Sequence, residues 1–280
     1  MPRRGCYALA AMPRPRVVFL GTGGALNPER YQAAVLVECG DTLVLLDTGG
    51  GLGLVRRLLA AEVEPATVGH VFLSHRHLDH MGALEPLLLT MSLRAFRAAV
   101  TPSPVTLYAL PGSAAAIRAM LAAADAAGER RLAGQLTWIT PSPGATLTLA
   151  GGVGLALTPV DHLPMGSEAA GCVVECGGVR VAYSGDTRPC DALTDAARGA
   201  ELLIHEVGGL DARAPLLHQV GHSTAADAGR SAARAGVRAL ALFHAPSAEW
   251  VAPADLLAEA RRHAPGVEVF LSEDGMALSV

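Results

Sequence analysis

The chain has 280 residues, 51% of them hydrophobic, and a formal net charge of −4. That length can bury a full core as one α/β domain of generous size, and the acidic balance argues against a strongly basic nucleic-acid footprint. All 22 basic residues are arginine, which excludes a Schiff-base or P-loop lysine.

Met1–Met12 carries Arg3-Arg4 and a short apolar patch, too brief and interrupted for a signal peptide. Residues 1–15 are expected to be a disordered extension, with translation beginning at Met1 or Met12, and a single domain is expected over 16–280. Strands are predicted at Val17–Leu20, Ala33–Glu38 and Thr42–Leu46, with Cys39-Gly40-Asp41 as the hairpin turn between the last two. Leu52–Ala61 reads as a helix, His70–Leu73 as a short buried strand, and Met81–Leu88 as the entrance to a second helix. Thr101-Pro102-Ser103-Pro104 breaks the chain before a strand at Val105–Leu110, and Ala114–Ala127 has the composition of a helix. Thr146–Val160 and Gly171–Tyr183 read as hairpin-like β segments, the second turning at Cys176-Gly177-Gly178. Strand and helix then alternate: Glu201–His205, Thr224–Ala235, Arg238–Phe243, Pro253–His263 and Val267–Leu271. Two similar halves, each with strands first and helices after, predict two sheets packed face to face with helices outside. That is a four-layer αββα sandwich of the α/β class.

The five cysteines, Cys6, Cys39, Cys172, Cys176 and Cys190, form no CxxC pair. A sparse, odd set in a chain this long fits a reducing, cytoplasmic setting. Cys172 and Cys176 fall on one face of an extended segment and read as core, with a structural metal site as the alternative. No apolar run reaches the ~20 residues needed to span a bilayer.

Chemistry concentrates in Ser74-His75-Arg76-His77-Leu78-Asp79-His80. Imidazole and carboxylate suit zinc, and also manganese or iron. His75 and His77 share one side of an extended segment, while the turn into the following helix swings Asp79 and His80 toward a neighbouring point. Two pairs of donors aimed at two points suggest two metals. A polar loop with surface histidines is the plainer reading, and it leaves the completion of the pattern by Asp79 and His80 unexplained. Further ligand-type residues close later strands: Asp161-His162, Asp186 after Tyr183-Ser184-Gly185, His205-Glu206, and His244. Each alone is a weak sign; together with the first motif they suffice for two ions and a bridging carboxylate.

With Leu20-Gly21-Thr22-Gly23-Gly24, Leu46-Asp47-Thr48-Gly49, the HxHxDH run, Val160-Asp161-His162, Ser184-Gly185-Asp186-Thr187, His205-Glu206, Gly221-His222-Ser223-Thr224 and Phe243-His244 in this order, the chain from about Val17 to Val280 resembles the metallo-β-lactamase-fold hydrolases. Within them it is similar to the ribonuclease Z-like branch. The resemblance implies one divalent ion held by His75, His77 and His162 and a second by Asp79, His80 and His244. Asp186 would bridge both, and the ions would be zinc, with manganese or iron acceptable. It implies a metal-bridging hydroxide as nucleophile, with Asp79 orienting it as well as ligating. His222 would stabilise the transition state or protonate the leaving oxygen, with Glu206 as its hydrogen-bond partner; an ordinary strand-end carboxylate is the plainer role for Glu206. Asp47 would accept a ligand histidine's remaining N–H. Gly21, Gly23 and Gly24 would allow close backbone approach or simply serve turns. His70, His205, His218 and His263 are left to packing or solvent.

The chain also departs from the ribonuclease Z pattern. It has Leu78 where that pattern has glycine, and Val207-Gly208-Gly209 where that pattern has a threonine-containing run. Only 23 residues separate His162 from Asp186, where the tRNA-processing enzymes usually carry a long protruding arm. The leading expectation is therefore a dinuclear phosphodiesterase acting on small or cyclic phosphodiesters, as a homodimer with no membrane partner. The alternatives are a tRNA 3′-processing endoribonuclease, an arylsulfatase or lactone/ester hydrolase, and a noncatalytic binding protein on the same fold.

Overall fold

The computed structural model describes residues 14–99, 104–125, 136–162 and 168–280. Residues 1–13 of the expected N-terminal extension, Cys6 among them, lie outside the described residues, as do residues 101–103 of the expected chain break and 126–127 of the expected helix. Pro15, at the end of that extension, accepts a hydrogen bond from the Val280 N–H at 3.0 Å.

Strands β1 (Arg16–Gly21), β2 (Ala34–Cys39), β3 (Thr42–Leu46), β4 (His70–Phe72), β5 (Val105–Tyr108), β6 (Leu136–Ile139) and β14 (Ala277–Ser279) form one sheet, in the order β14-β1-β2-β3-β4-β5-β6. The second sheet has the order β13-β12-β11-β10-β9-β8-β7, built from β7 (Thr146–Thr148), β8 (Gly154–Pro159), β9 (Ala170–Cys176), β10 (Val179–Tyr183), β11 (Leu202–Glu206), β12 (Ala239–Phe243) and β13 (Glu268–Leu271). β3 through β6 run parallel, as do β10 through β13, and the remaining pairs are antiparallel.

The two-residue period of a strand explains the layering. In β1, Val17 and Phe19 face the other sheet while Val18 and Leu20 face outward; in β12, Ala239, Ala241 and Phe243 face in and Leu240 and Leu242 face out. The inner faces make one core, with Phe243 set between Phe19 and Tyr183 at ring distances of 6.4 and 5.6 Å. Outside the first sheet lie helices α1 (Gly53–Ala60), α3 (Leu84–Arg97) and α4 (Pro111–Ala124). Outside the second lie α5 (Asp191–Ala196), α7 (Ala225–Ala235) and α8 (Pro253–His263). The result is the expected αββα sandwich. Neither Cys172 nor Cys176, both buried between the sheets, joins a metal-ligand group among the described residues. No helix among the described residues is long and apolar enough to cross a membrane.

Two short helices and two edge strands escape sequence pattern. α2 (Leu78–Met81) begins three residues before the predicted helix entrance, so Asp79 and His80 sit within it rather than ahead of it. α6 (Ala214–Gln219), β6 and β14 are too brief for a periodic signal.

Helix α7 follows His222 and Ser223 directly and shows how local sequence holds the site. Thr224 caps it: its hydroxyl accepts the Asp227 N–H at 3.1 Å, and the Asp227 carboxylate accepts the Thr224 N–H at 3.0 Å. Small residues let it lie close to α8, since a Cβ at Gly229 would stand 2.5 Å from the Ala260 carbonyl oxygen. Gly236, at φ +63°, ends it in the left-handed region. Thr224→Ala is expected to cost about 1 kcal/mol, read as a lower urea midpoint at an unchanged m-value.

Candidate active site

The carboxyl ends of β3, β4, β8, β10, β11 and β12 open on one rim of the sandwich, the usual place for a site in such sheets. From them project Asp47, His75 with His77, His162, Asp186, Glu206 and His244. Two of these turns require unusual backbone: Asp47 has φ +57° and His244 φ +55°, a region costing non-glycine residues of order 1–3 kcal/mol. Gly185, at φ +56°, turns the chain into Asp186, and a Cβ there would meet Ser74 Cβ at 2.8 Å. Gly221 lies still closer to a candidate ligand. Its carbonyl oxygen accepts from His162 Nδ1 at 2.8 Å, and a Cβ on it would fall 2.1 Å from the His162 carbonyl oxygen.

The side chains converge on Asp186. Its Oδ2 lies 3.3 Å from His80 Nε2, 3.6 Å from His244 Nε2, and 3.9 Å from the Nε2 atoms of both His75 and His162. Among the described residues, donor atoms within 4.8 Å of one another group as His75, His77, His162 and Asp186; as Asp79, His80 and His244; and as Asp186, His222 and His244. Asp79 Oδ2 stands 3.2 Å from His244 Nε2 and 3.5 Å from His80 Nε2. His77 Nδ1 stands 3.3 Å from His162 Nε2.

Protonation follows from burial and charge. Burial lowers the pKa of His75, His77 and His162, so these imidazoles are neutral donors. Burial also disfavours charge on His80, yet the carboxylates of Asp186 and Asp47 outweigh it and raise His80 well above the usual imidazole value. Burial raises the Asp79 carboxyl, but hydrogen bonds from His244 and His80 hold it far below the usual carboxylate range. Asp186 is likewise held well below that range, with the charges of His244 and His80 overcoming its burial. In the metal-free protein a proton on His80 thus balances carboxylates that a cation would otherwise neutralise, so a metal bound at His80 displaces that proton.

The residues fit such ions. His75 Nε2, His80 Nε2 and Asp186 Oδ1 are buried with no hydrogen-bond partner. Buried polar atoms are nearly always paired; Glu206 Oε2 is a fourth such atom, and the three on His75, His80 and Asp186 are the donor chemistry of a divalent transition metal.

Behind the cluster, Asp47 is fully buried and fully used. Its Oδ1 accepts the Ser74 N–H at 2.7 Å; its Oδ2 accepts from Ser74 Oγ and Tyr183 Oη at 2.7 Å each, and lies 2.8 Å from His80 Nδ1. Beside the cluster, His222 Nδ1 stands 3.0 Å from Glu206 Oε1, which also accepts the Thr187 N–H at 2.8 Å. Burial pushes the His222 imidazole down, but the charge and hydrogen bond of Glu206 reverse this and raise it to about 9.

All nine predicted site residues lie in this one cluster. Three of the four other histidines have structural partners: His70 meets Tyr108 Oη, His205 the Glu206 carbonyl oxygen, and His218 the Asp227 carboxylate. Sequence reasoning missed Tyr183, Ser74 and Asp274. Asp274 accepts from the N–H groups of Thr22 and Tyr31 at 2.9 and 2.7 Å and so pins the loop after β1. Tyr183 was findable as the aromatic residue directly before Ser184-Gly185-Asp186-Thr187; Asp274 carries no sequence signal.

An αββα sandwich with five histidines and two aspartates gathered at one rim has the donor set of a divalent-metal centre, and its relatives make the class that of metal-dependent hydrolases. Residues 42–245 match the family described as the beta-lactamase superfamily domain. Ribonuclease Z of Mycobacterium bovis (strain BCG / Pasteur 1173P2) is 31% identical over 242 residues, covering 81% of this chain and 85% of that protein. The metallo-β-lactamase-fold protein YhfI of Bacillus subtilis shares the fold at a TM-score of 0.76, with 22% identity over 95% of this chain and 99% of that one. Human tRNase Z, short form, shares it at 0.72, with 24% identity over 94% and 98%. The protein belongs to the metallo-β-lactamase superfamily, in its ribonuclease Z-like branch.

Proposed function

We propose that this protein is a dinuclear metal-dependent phosphodiesterase acting on small or cyclic phosphodiesters. His75, His77 and His162 would hold one ion and Asp79, His80 and His244 the other, with Asp186 placed to serve both; zinc suits this set, with manganese and iron accepted. Bound there, two divalent ions supply Lewis acidity, easing deprotonation of an attacking water and neutralising charge on an ester oxygen. Asp79, held as a carboxylate, accepts a hydrogen bond from that water and orients it. His222 keeps its Nδ1–H on Glu206, which leaves Nε2–H free to donate to a phosphoryl or leaving oxygen.

The His222–Glu206 pair carries this reading. A protonated imidazole held 3.0 Å from a buried carboxylate, beside the Asp186-centred cluster, suits an anionic tetrahedral centre better than an uncharged lactone. Bis-p-nitrophenyl phosphate hydrolysis by zinc- and manganese-reconstituted protein tests it, with p-nitrophenyl sulfate and p-nitrophenyl acetate alongside. Turnover of the diester alone supports the reading; a silent diester with an active sulfate or acetate sinks it. Asp47→Asn is expected to weaken metal binding about 10–100-fold, because an amide cannot serve all four partners of the carboxylate. Chelator competition measures this.

Processing of tRNA 3′ ends is the second reading, favoured by the similarity to a protein named ribonuclease Z across 85% of that protein's length. Against it stand the 23 residues between His162 and Asp186 and the absence of lysine. Cleavage of a 3′-extended precursor tRNA, with binding that weakens steeply as salt rises, would put this reading first.

A further inference from the structure

A cavity of about 200 Å³ opens beside the metal-ligand cluster, with His222 and His244 on its inner side and Leu26, Leu217, Pro246 and Trp250 around it. At that size it is smaller than a drug-sized pocket and admits about one ring system. Leu26 and Trp250 are 74% and 57% exposed, large apolar surfaces at the mouth of a site. None of the lining residues is acidic or an arginine.

The Asn27 side chain and two backbone N–H groups of the wall are already engaged. The Asn27 amide donates to the Ala245 and Pro246 carbonyl oxygens, and its Oδ1 accepts from the N–H groups of Glu29 and Arg30. The N–H groups of Gly24 and Gly208 go to Ala245 O and Ser223 O. Among the side chains of the wall no carboxylate or guanidinium is present to hold a charged group, and the two histidines lie at its inner side. Glycine keeps the cavity open to them: a Cβ on Gly208 would lie 3.0 Å from Leu217 Cδ2 and 3.2 Å from His222 Cβ, and one on Gly24 3.3 Å from His244 Cε1. Gly208 belongs to the Val207-Gly208-Gly209 run that departs from the ribonuclease Z pattern.

We propose that this cavity is a base subsite, in which the nucleobase attached to the scissile phosphate stacks on Trp250, so that the substrates are nucleotides rather than base-free sugar phosphates. This rests on the phosphodiesterase reading and narrows it. An indole face accepts any base with little sequence preference, while the phosphate end remains with His222 and the metal ligands.

Two measurements test the subsite. The first uses KM values of metal-reconstituted protein for 2′,3′-cyclic AMP and for the base-free 1-O-methylribose 2,3-cyclic phosphate. Trp250→Ala is expected to raise KM for cyclic AMP about tenfold, with kcat little changed and the base-free ester unaffected, and Trp250→Phe is expected to retain most of the parent affinity. An unchanged KM, or an equal rise for both esters, overturns the subsite. The second is tryptophan emission titrated with adenosine and with ribose, which needs no turnover. Quenching by adenosine that disappears in Trp250→Phe supports the subsite; absent quenching, or quenching independent of Trp250, overturns it. If neither ester is hydrolysed, bis-p-nitrophenyl phosphate turnover decides the phosphodiesterase reading and the adenosine titration still decides the subsite.

Discussion

Asp186→Ala is expected to lower kcat/KM for bis-p-nitrophenyl phosphate by roughly a thousand-fold or more and to reduce tightly bound metal to about one ion per chain or fewer. The Asp186 Oδ2 atom lies within 4.0 Å of a ring nitrogen of His75, His80, His162, His222 and His244, and no other carboxylate among the described residues is placed to serve both donor groups. Charge stabilisation by bound metal is worth several kcal/mol, and each 1.36 kcal/mol is tenfold in rate. Asp186→Asn keeps the volume and removes the charge, so it separates loss of metal from loss of fold. Metal content by elemental analysis and a thermal melt of each variant make the comparison. Two ions retained in a folded, inactive Asp186→Asn protein would contradict the bridging role.

His222→Ala is expected to reduce kcat by roughly 10²–10⁴-fold, the range for loss of a positioned acid, while leaving about two ions bound. Metal content matters here because Asp186, His222 and His244 also form a group of suitable donors; a lost ion would make His222 a ligand. The pH profile adds a second check. His222 donates only when protonated, and Glu206 raises its pKa to about 9 in the metal-free protein, so activity of the metal-loaded protein falls as pH rises, along a limb below that value. Glu206→Gln removes the raising charge, and the alkaline limb is expected to move down toward the ordinary imidazole value of about 6.5. Bound cations act in the same downward direction, so the metal-loaded limb lies below that of the metal-free imidazole. By linkage, the pair stabilises the metal-free fold fully below the unfolded pKa, and that stabilisation is lost as pH rises through about 9.

Much of the fold was legible because its signals are local. The apolar, β-branched-rich runs Val17–Leu20 and Thr42–Leu46, the turn at Cys39-Gly40-Asp41 and the helix-forming run Thr224–Ala235 all act within a few residues. Short elements were not: α2 and α6 hold four and six residues, less than two helical turns, and are set by the loops they complete. The candidate ligands were legible for another reason. The HxHxDH run gathers four of them in one stretch, and each of the others stands at the end of an apolar strand, where side chains meet at the rim of the sandwich.

By itself the sequence determined the layering, the chemical kind of every donor and the order in which they occur, because strand period and residue type are properties of short segments. Only the tertiary structure decided which donors are neighbours and what charge each carries. Tyr183 meets Asp47 across 136 positions and Asp274 meets Thr22 across 252, and the cavity at Trp250 joins segments from Gly24 to Trp250. His75, lowered by burial, and His80, raised by Asp186 and Asp47, are the same residue type five positions apart. Packing alone separates them, since the desolvation and the charges that set a pKa come from whatever the fold places alongside.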